Sequence, residues 1–201
     1  MTPSQLFERI AEVLPPLDGW CELDKANALA ASVLALRPVV SVEIGVFGGR
    51  SLVPIAMACE AIGSGIVIGI DPWSPDASAE GYTDENQRWW SSIDHEAIYQ
   101  KFLRNLTVLG IESRVTVWRA KSDEVIPPAT IDLLHVDGQH TDQAVRDVRR
   151  FASNIRLGGL CCMDDIAWVG GGVRRAVDVL EALGFVRLYD IGTGAMFQRC
   201  R

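Results

Sequence analysis

The chain reads as an α/β protein: a doubly wound, mainly parallel sheet with helices on both faces, Rossmann-like, ending in an antiparallel hairpin. Three observations predict this. Short runs rich in β-branched residues recur at 39–45, 66–71, 115–120, 131–137 and 160–164, each of strand length. Helical stretches at 51–62, 94–109, 141–155 and 173–183 separate them, and strands alternating with helices imply parallel pairing. The last two runs, 185–190 and 195–200, are joined only by Ile191-Gly192-Thr193-Gly194, which leaves no room for a crossover helix and forces a hairpin.

Ahead of the first strand, Thr2-Pro3-Ser4-Gln5 has the form of a capping box with proline at the first helical position. This predicts a helix running to Pro15-Pro16. The alanine- and leucine-rich stretch 23–36 is a second helix, ended by Pro38. Residues 1–37 are therefore read as N-terminal helices and 38–201 as the core of one domain. Between the second strand and the next helix lies a polar insertion, 72–92, carrying Trp73, Tyr82, Trp89 and Trp90. A connection of this length is a functional lid or disordered; its aromatics favour a lid, with Trp89 and Trp90 over the substrate.

Composition narrows the function. A net charge of -7 disfavours phosphate-backbone binding, so nucleic acid is not expected as a partner. The N-terminal residues lack a signal pattern and no apolar run approaches the ~20 residues of a membrane span, so a cytoplasmic protein with no membrane partner is expected. Five cysteines without C-x-x-C spacing read as reduced and mostly buried, with Cys161 and Cys162 on opposite faces of a strand. Nothing decides the oligomeric state, and a homo-oligomer is left open.

Ligands of doubly wound sheets sit beyond the carboxyl ends of the strands, where this chain concentrates its chemistry. Val42-Glu43-Ile44-Gly45-Val46-Phe47-Gly48-Gly49-Arg50-Ser51 places an acid at the end of the first strand and glycines in the turn that follows, where backbone amides can approach a ligand. Ile68-Gly69-Ile70-Asp71 ends the second strand with a carboxylate placed to accept from both hydroxyls of an adenosine ribose. His135-Val136-Asp137-Gly138-Gln139-His140 ends the fourth strand and Met163-Asp164-Asp165 the fifth. Three acids converging on one rim repel one another unless a cation or a proton intervenes, and oxygen ligands suit Mg2+, Mn2+ or Ca2+. Alternatively these carboxylates cap helices or pair with Arg174 or Arg175. His135 is read as structural and His95 as solvated.

These segments, with Ile131-Asp132-Leu133-Leu134 before the fourth-strand motif and Gly158-Gly159-Leu160-Cys161-Cys162 before the fifth, resemble class I S-adenosylmethionine-dependent methyltransferases. The resemblance is to the small O-methyltransferases, catechol O-methyltransferase and the macrocin-type sugar O-methyltransferases, over about 39–200. It implies a seven-stranded sheet of order 3-2-1-4-5-7-6, S-adenosylmethionine in the glycine turn with Glu43, Gly45, Gly49 and Ser51 around it, and Asp71 on the ribose. It further implies an adenine contact at Ser122, which reads equally as the N-cap of a helix at 123–126. In the catechol pattern an Asp and an Asp-Asn pair hold magnesium and a Lys acts as base; here Asp137, Asp164 and Asp165 stand at the metal positions and His140 at the Lys position. Histidine there matches the macrocin-type enzymes and points to a sugar-like or other aliphatic hydroxyl of a small-molecule acceptor. A nicotinamide-dependent oxidoreductase and a non-catalytic binding protein of the same fold are the rival readings.

Overall fold

The computed structural model describes residues 1–81 and 84–201. Two helices come first, α1 (Pro3–Val13) and α2 (Leu23–Leu36). In the expected capping box, the Thr2 hydroxyl accepts from the Gln5 amide and the Gln5 side chain accepts from the Thr2 amide. The core follows as β1 (Val40–Ile44), α3 (Leu52–Ile62), β2 (Ile66–Ile70), α4 (Pro75–Ala79), α5 (Asp84–Ser92), α6 (His95–Leu109) and β3 (Val115–Trp118). It continues with β4 (Ile131–Val136), α7 (Asp142–Phe151), β5 (Ile155–Met163), α8 (Gly172–Ala182), β6 (Phe185–Ile191) and β7 (Gly194–Arg199). The sheet has the order β3-β2-β1-β4-β5-β7-β6, parallel from β3 to β5 and antiparallel where β7 meets β5 and β6.

Period-two alternation divides the apolar side chains between two cores. On one face Leu133 and Cys162 pack with Leu29, Leu52, Ile55 and Phe102 of the helices α2, α3 and α6. On the other, Val42, Leu134 and Cys161 pack with Val148, Phe151 and Leu180 of α7 and α8. Cys161 and Cys162 thus point to opposite faces, as expected. Among the described residues, no helix is long and apolar enough to cross a membrane.

Two elements differ from the sequence expectation. β5 begins at Ile155, five residues before the apolar run does. Gly158 has φ +77°, and a Cβ at Gly159 would lie 2.9 Å from the Asp132 carbonyl oxygen. Glycines that admit an irregular register between Ile131 and Leu133 hid the strand from a propensity reading. The insertion at 72–92 contains two short helices in place of a loop. The signal was local: Ser74 caps α4 by accepting from the Ala77 amide, with Pro75 at the first helical position. Tyr82 lies outside the described residues.

Trp73 belongs to the core and not to a lid. It is 2 % exposed, stacks on Phe102 at 5.7 Å, meets the Tyr99 ring at a tilt at 4.7 Å, and donates its indole N–H to the Phe47 carbonyl at 2.8 Å. Trp89 is 44 % exposed. Trp73→Ala is therefore expected to cost about 3–5 kcal/mol in urea unfolding, whereas Trp89→Ala, losing only surface stacking, costs about 1 kcal/mol or less. Equal losses would place Trp89 in the core as well.

Candidate active site

Beyond the carboxyl ends of β1, β2, β4 and β5 lies a cavity of about 930 Å3, enough for a cofactor together with a small acceptor. Its floor is the turn after β1. Gly45 has φ +86°, and a Cβ there would lie 2.1 Å from the Asp137 carbonyl oxygen, so only glycine lets β1 and β4 close at this point. The Val46 and Phe47 amides each donate to Asp71 Oδ2 at 2.9 Å, and the Trp73 amide donates to Oδ1 at 2.7 Å. A carboxylate offers about four lone-pair directions. The turn takes three, leaving one for a ribose where the sequence suggested two. Burial raises the Asp71 pKa, and the three amides work against that rise.

Gly45, Ser51, Asp71 and Ser122 line the cavity; Glu43 and Gly49 stand behind its wall. Glu43 is fully buried and accepts from the Ser51 hydroxyl at 2.9 Å and from His135 Nδ1 at 3.0 Å. It braces β1 against α3 and β4 and does not face a ligand. Gly49, at φ +83°, makes room for the Phe102 ring, which a Cβ would meet at 2.6 Å. Ser122 caps no helix, since turns follow it. Its hydroxyl donates to Asp147 at 2.6 Å and accepts from Gln143 at 3.0 Å.

The carboxylates at the rim divide into two sets. Asp164 is 3 % exposed. Its Oδ1 accepts from the Asp165 amide at 3.0 Å and the Thr193 hydroxyl at 3.1 Å, and its Oδ2 accepts from the ammonium of Lys25 on α2. Burial pushes the Asp164 pKa up, but His135 and the Lys25 charge and hydrogen bond outweigh it and hold it at about 2. Asp165, at φ +48°, turns its carboxylate to His140 Nε2 at 3.3 Å, and the Trp168 ring lies 4.5 Å from the imidazole. Burial lowers the His140 pKa against the pull of Asp165 and Asp164. Asp137 stands between the sets, its pKa raised well above the ordinary range by burial and by the Asp164 charge. Arg174 and Arg175 pair elsewhere, with Asp178 and Asp142.

Asp137, Asp164 and Asp165 do not close as one ligand set. Among the described residues the groups that converge within 4.8 Å are His135–Asp137–Asp164 and Asp137–His140–Asp165. A divalent ion on Asp164 would meet the Lys25 ammonium: at ~4 Å and an effective dielectric constant of ~20, two unit charges repel by about 4 kcal/mol, and a double charge by about 8 kcal/mol. That repulsion stands against an ion held on Asp164; the Asp137–His140–Asp165 group leaves Asp164 out. Lys25 carried no signal in the sequence, because 139 residues separate it from Asp164 and its helix reads as an ordinary apolar packing element.

Aromatic rings form the mouth. Trp20, 61 % exposed, stacks on Phe47 at 5.3 Å and lies 5.3 Å from Trp89, and Trp90 meets Trp89 at 4.8 Å and Phe47 at 5.8 Å. Trp89 and Trp90 line the cavity, and Trp20 joins them from the N-terminal segment. His95 is buried, not solvated: it stacks on Trp90, and its Nε2 lies 3.2 Å from the Trp90 carbonyl oxygen.

The two rim carboxylates next to the central strands should respond differently to substitution. Asp164→Asn leaves the Lys25 ammonium without its counter-charge and is expected to cost about 3–5 kcal/mol, whereas Asp137→Asn, where the carboxyl is already pushed toward neutrality, stays within about 1 kcal/mol. Asp164, with its folded pKa at about 2 and an unfolded value near ~3.9, adds stability above the unfolded pKa. That contribution is lost as the pH falls through the folded one. Urea unfolding of both variants, with the parent followed into acid, checks this; equal costs would show that the pair carries no stability.

Residues 42–166 match the family model described as a methyltransferase domain, a span from β1 to just past Asp165. No curated protein sequence matches the chain. Among solved structures, the O-methyltransferase TomG from Streptomyces achromogenes, in complex with S-adenosylmethionine, is similar at TM-score 0.67 and 15% identity, covering 99% of this chain and 89% of that one. The O-methyltransferase NovP is similar at TM-score 0.69 and 19% identity, covering 89% and 81%. An O-methyltransferase from Bacillus cereus is similar at TM-score 0.63 and 14% identity, covering 98% and 91%. At these identities the structural likeness speaks to the fold, and the family match carries the assignment: the chain belongs to the methyltransferase-domain family and is a class I, S-adenosylmethionine-dependent methyltransferase.

Proposed function

We propose that this chain methylates a hydroxyl of a small molecule, a sugar-like or other natural product with a flat apolar face, and that His140 removes the hydroxyl proton. The observation that carries the reading is the placement of His140. Burial favours its neutral form, Asp165 lies 3.3 Å from its Nε2, and it faces the same cavity as the glycine turn. The similar solved O-methyltransferases support the same reaction class.

S-adenosylmethionine, when bound, supplies an electrophilic methyl group on a cationic sulfur that keeps the electron pair of the broken bond. The chain's part is to align the acceptor oxygen with that methyl group, which alone supplies up to ~7–11 kcal/mol in good cases, and to take the proton. Gly45 and the Val46–Phe47 turn leave backbone within reach of the cofactor, and Asp71 keeps one acceptor direction for its ribose. Trp20, Trp89 and Trp90 offer ring faces on which a sugar or a planar ring can rest.

Three measurements test the reading. Asp71→Ala should weaken adenosylmethionine binding by about 1.5–3 kcal/mol in calorimetry, the value of one hydrogen bond to a charged group; unchanged affinity removes Asp71 from the cofactor site. Against an acceptor found by screening sugar and phenol hydroxyls, His140→Ala should lower kcat by ~10²–10⁴. In the parent enzyme kcat/KM should be full where His140 is neutral and fall as the pH drops through a value below 6.5. A variant with parental kcat would exclude His140 as the base, and absence of turnover on any hydroxyl would favour a binding protein.

A further inference from the structure

We propose that Lys25 is the resident cation of this active site and that methyl transfer here needs no divalent metal. The N-terminal helices, which precede the segment matched by the family model, then complete the site. The catalytic half of this inference rests on the methyl-transfer reading; the cation half does not.

Lys25 occupies a position that packing alone would fill otherwise. Its side chain is 8 % exposed and that of its partner Asp164 2 %, and its neighbours on the buried side of α2 are Ala26, Leu29, Ala30 and Val33. A buried ion pair stabilises a fold no better than apolar side chains of the same volume, so stability does not account for a lysine here. The side chain reaches the cavity that Asp137, His140 and Asp165 also line, and its charge acts on both Asp164 and Asp137.

The chain also fixes how the lysine is delivered. Arg50, at the end of the glycine turn, donates from Nε to the Cys21 carbonyl at 2.9 Å and from Nη1 to the Leu17 carbonyl at 3.2 Å. The turn that cradles the cofactor is thereby tied to the segment leading into α2. Asp24 Oδ1 accepts from the Lys25 amide at 2.8 Å. In this arrangement the ammonium neutralises Asp164, and its remaining N–H groups offer an acceptor oxygen the positive charge that a metal ion would otherwise supply. A metal and Lys25 compete for the same carboxylate.

The experiment is a comparison of the full chain, Lys25→Met, Lys25→Arg and the double variant Lys25→Met/Asp164→Asn, read by Mn2+ binding in electron paramagnetic resonance and by turnover in excess chelator. The parent should bind no Mn2+ at sub-millimolar concentration and keep its rate in chelator. Lys25→Met, with its rim carboxylates released, should gain a Mn2+ site and lose ~10²–10³-fold in kcat, the usual effect of removing a fixed electrostatic stabiliser; Lys25→Arg should retain more of the rate than Lys25→Met. The double variant removes both charges and so folds even if the single variant does not. It should keep the parental melting temperature and show the same ~10²–10³-fold loss in kcat. A stoichiometric Mn2+ site in the parent with activity lost on chelation would overturn the proposal, as would parental activity in the double variant. If no hydroxyl is methylated by any form, the methyl-transfer reading fails while the Mn2+ comparison still decides which cation the site holds.

Discussion

A carboxylate buried at the end of a strand costs several kcal/mol unless hydrogen bonds or an opposite charge compensate it, and this sheet ends four of its strands β1, β2, β4 and β5 in or beside one. Each is compensated differently, and the architecture of the cavity follows from that. Glu43 is answered by the Ser51 hydroxyl and by His135, which binds β1 to α3 and to β4. Asp71 is answered by three backbone amides, of which those of Val46 and Phe47 tie it to the glycine turn. Asp164 is answered by Lys25, which brings α2 to the rim. Among the described residues Asp137 has no hydrogen-bonding partner of this kind, and its burial beside Asp164 shifts it toward the neutral form.

The cross-strand register makes these answers interdependent. Glu43 pairs with His135 across β1 and β4, and His135 with Cys162 across β4 and β5, so one row of side chains crosses three strands on the face covered by α2 and α3. Burial opposes a charge on His135, yet hydrogen bonds with Cys162 and Glu43 raise its pKa well above the usual value. Two residues further along β4 and β5, alternation returns Asp137 and Asp164 to that same face. Asp165, one residue on, falls on the opposite side, where with φ +48° its carboxylate meets His140. The division between a charged floor under α2 and the His140–Asp165 pair near α7 thus follows strand periodicity.

The sequence made legible whatever depended on local pattern. The β-branched runs and the hairpin without room for a crossover determined the strand order's parallel and antiparallel parts, and the acids at strand ends marked the rim. Asp71 stood out because a carboxylate closes β2, and its other use, accepting from the amide two residues on, is present as well. Interactions across long separations were not legible. Lys25 meets Asp164 only because α2 lies along the sheet face, and Trp20 meets Trp89 only because the segment before α2 passes the cavity mouth. Trp73 and His95 were misplaced for a related reason: polarity of the surrounding segment set their reading, whereas tertiary packing on Phe102 and Trp90 decided their burial. The first helix of the insertion carries its signal in Ser74-Pro75, a cap with proline at the first helical position.

The distribution of charge in the cavity also bears on which step the site favours. Methyl transfer from a sulfonium to a neutral hydroxyl removes the positive charge from sulfur and, once the proton has moved, leaves it on the base. With His140 as that base, the charge finishes 3.3 Å from Asp165, a carboxylate not already neutralised by Lys25. Before transfer the imidazole is kept neutral by burial, and the Asp165 interaction is weak; after transfer the same contact becomes an ion pair. An interaction that strengthens as the reaction proceeds lowers the barrier, whereas one of equal strength throughout only tightens binding. Had Lys25 paired with Asp165 instead of Asp164, that gain would be lost, so the placement of the lysine on one carboxylate leaves the other available to the base.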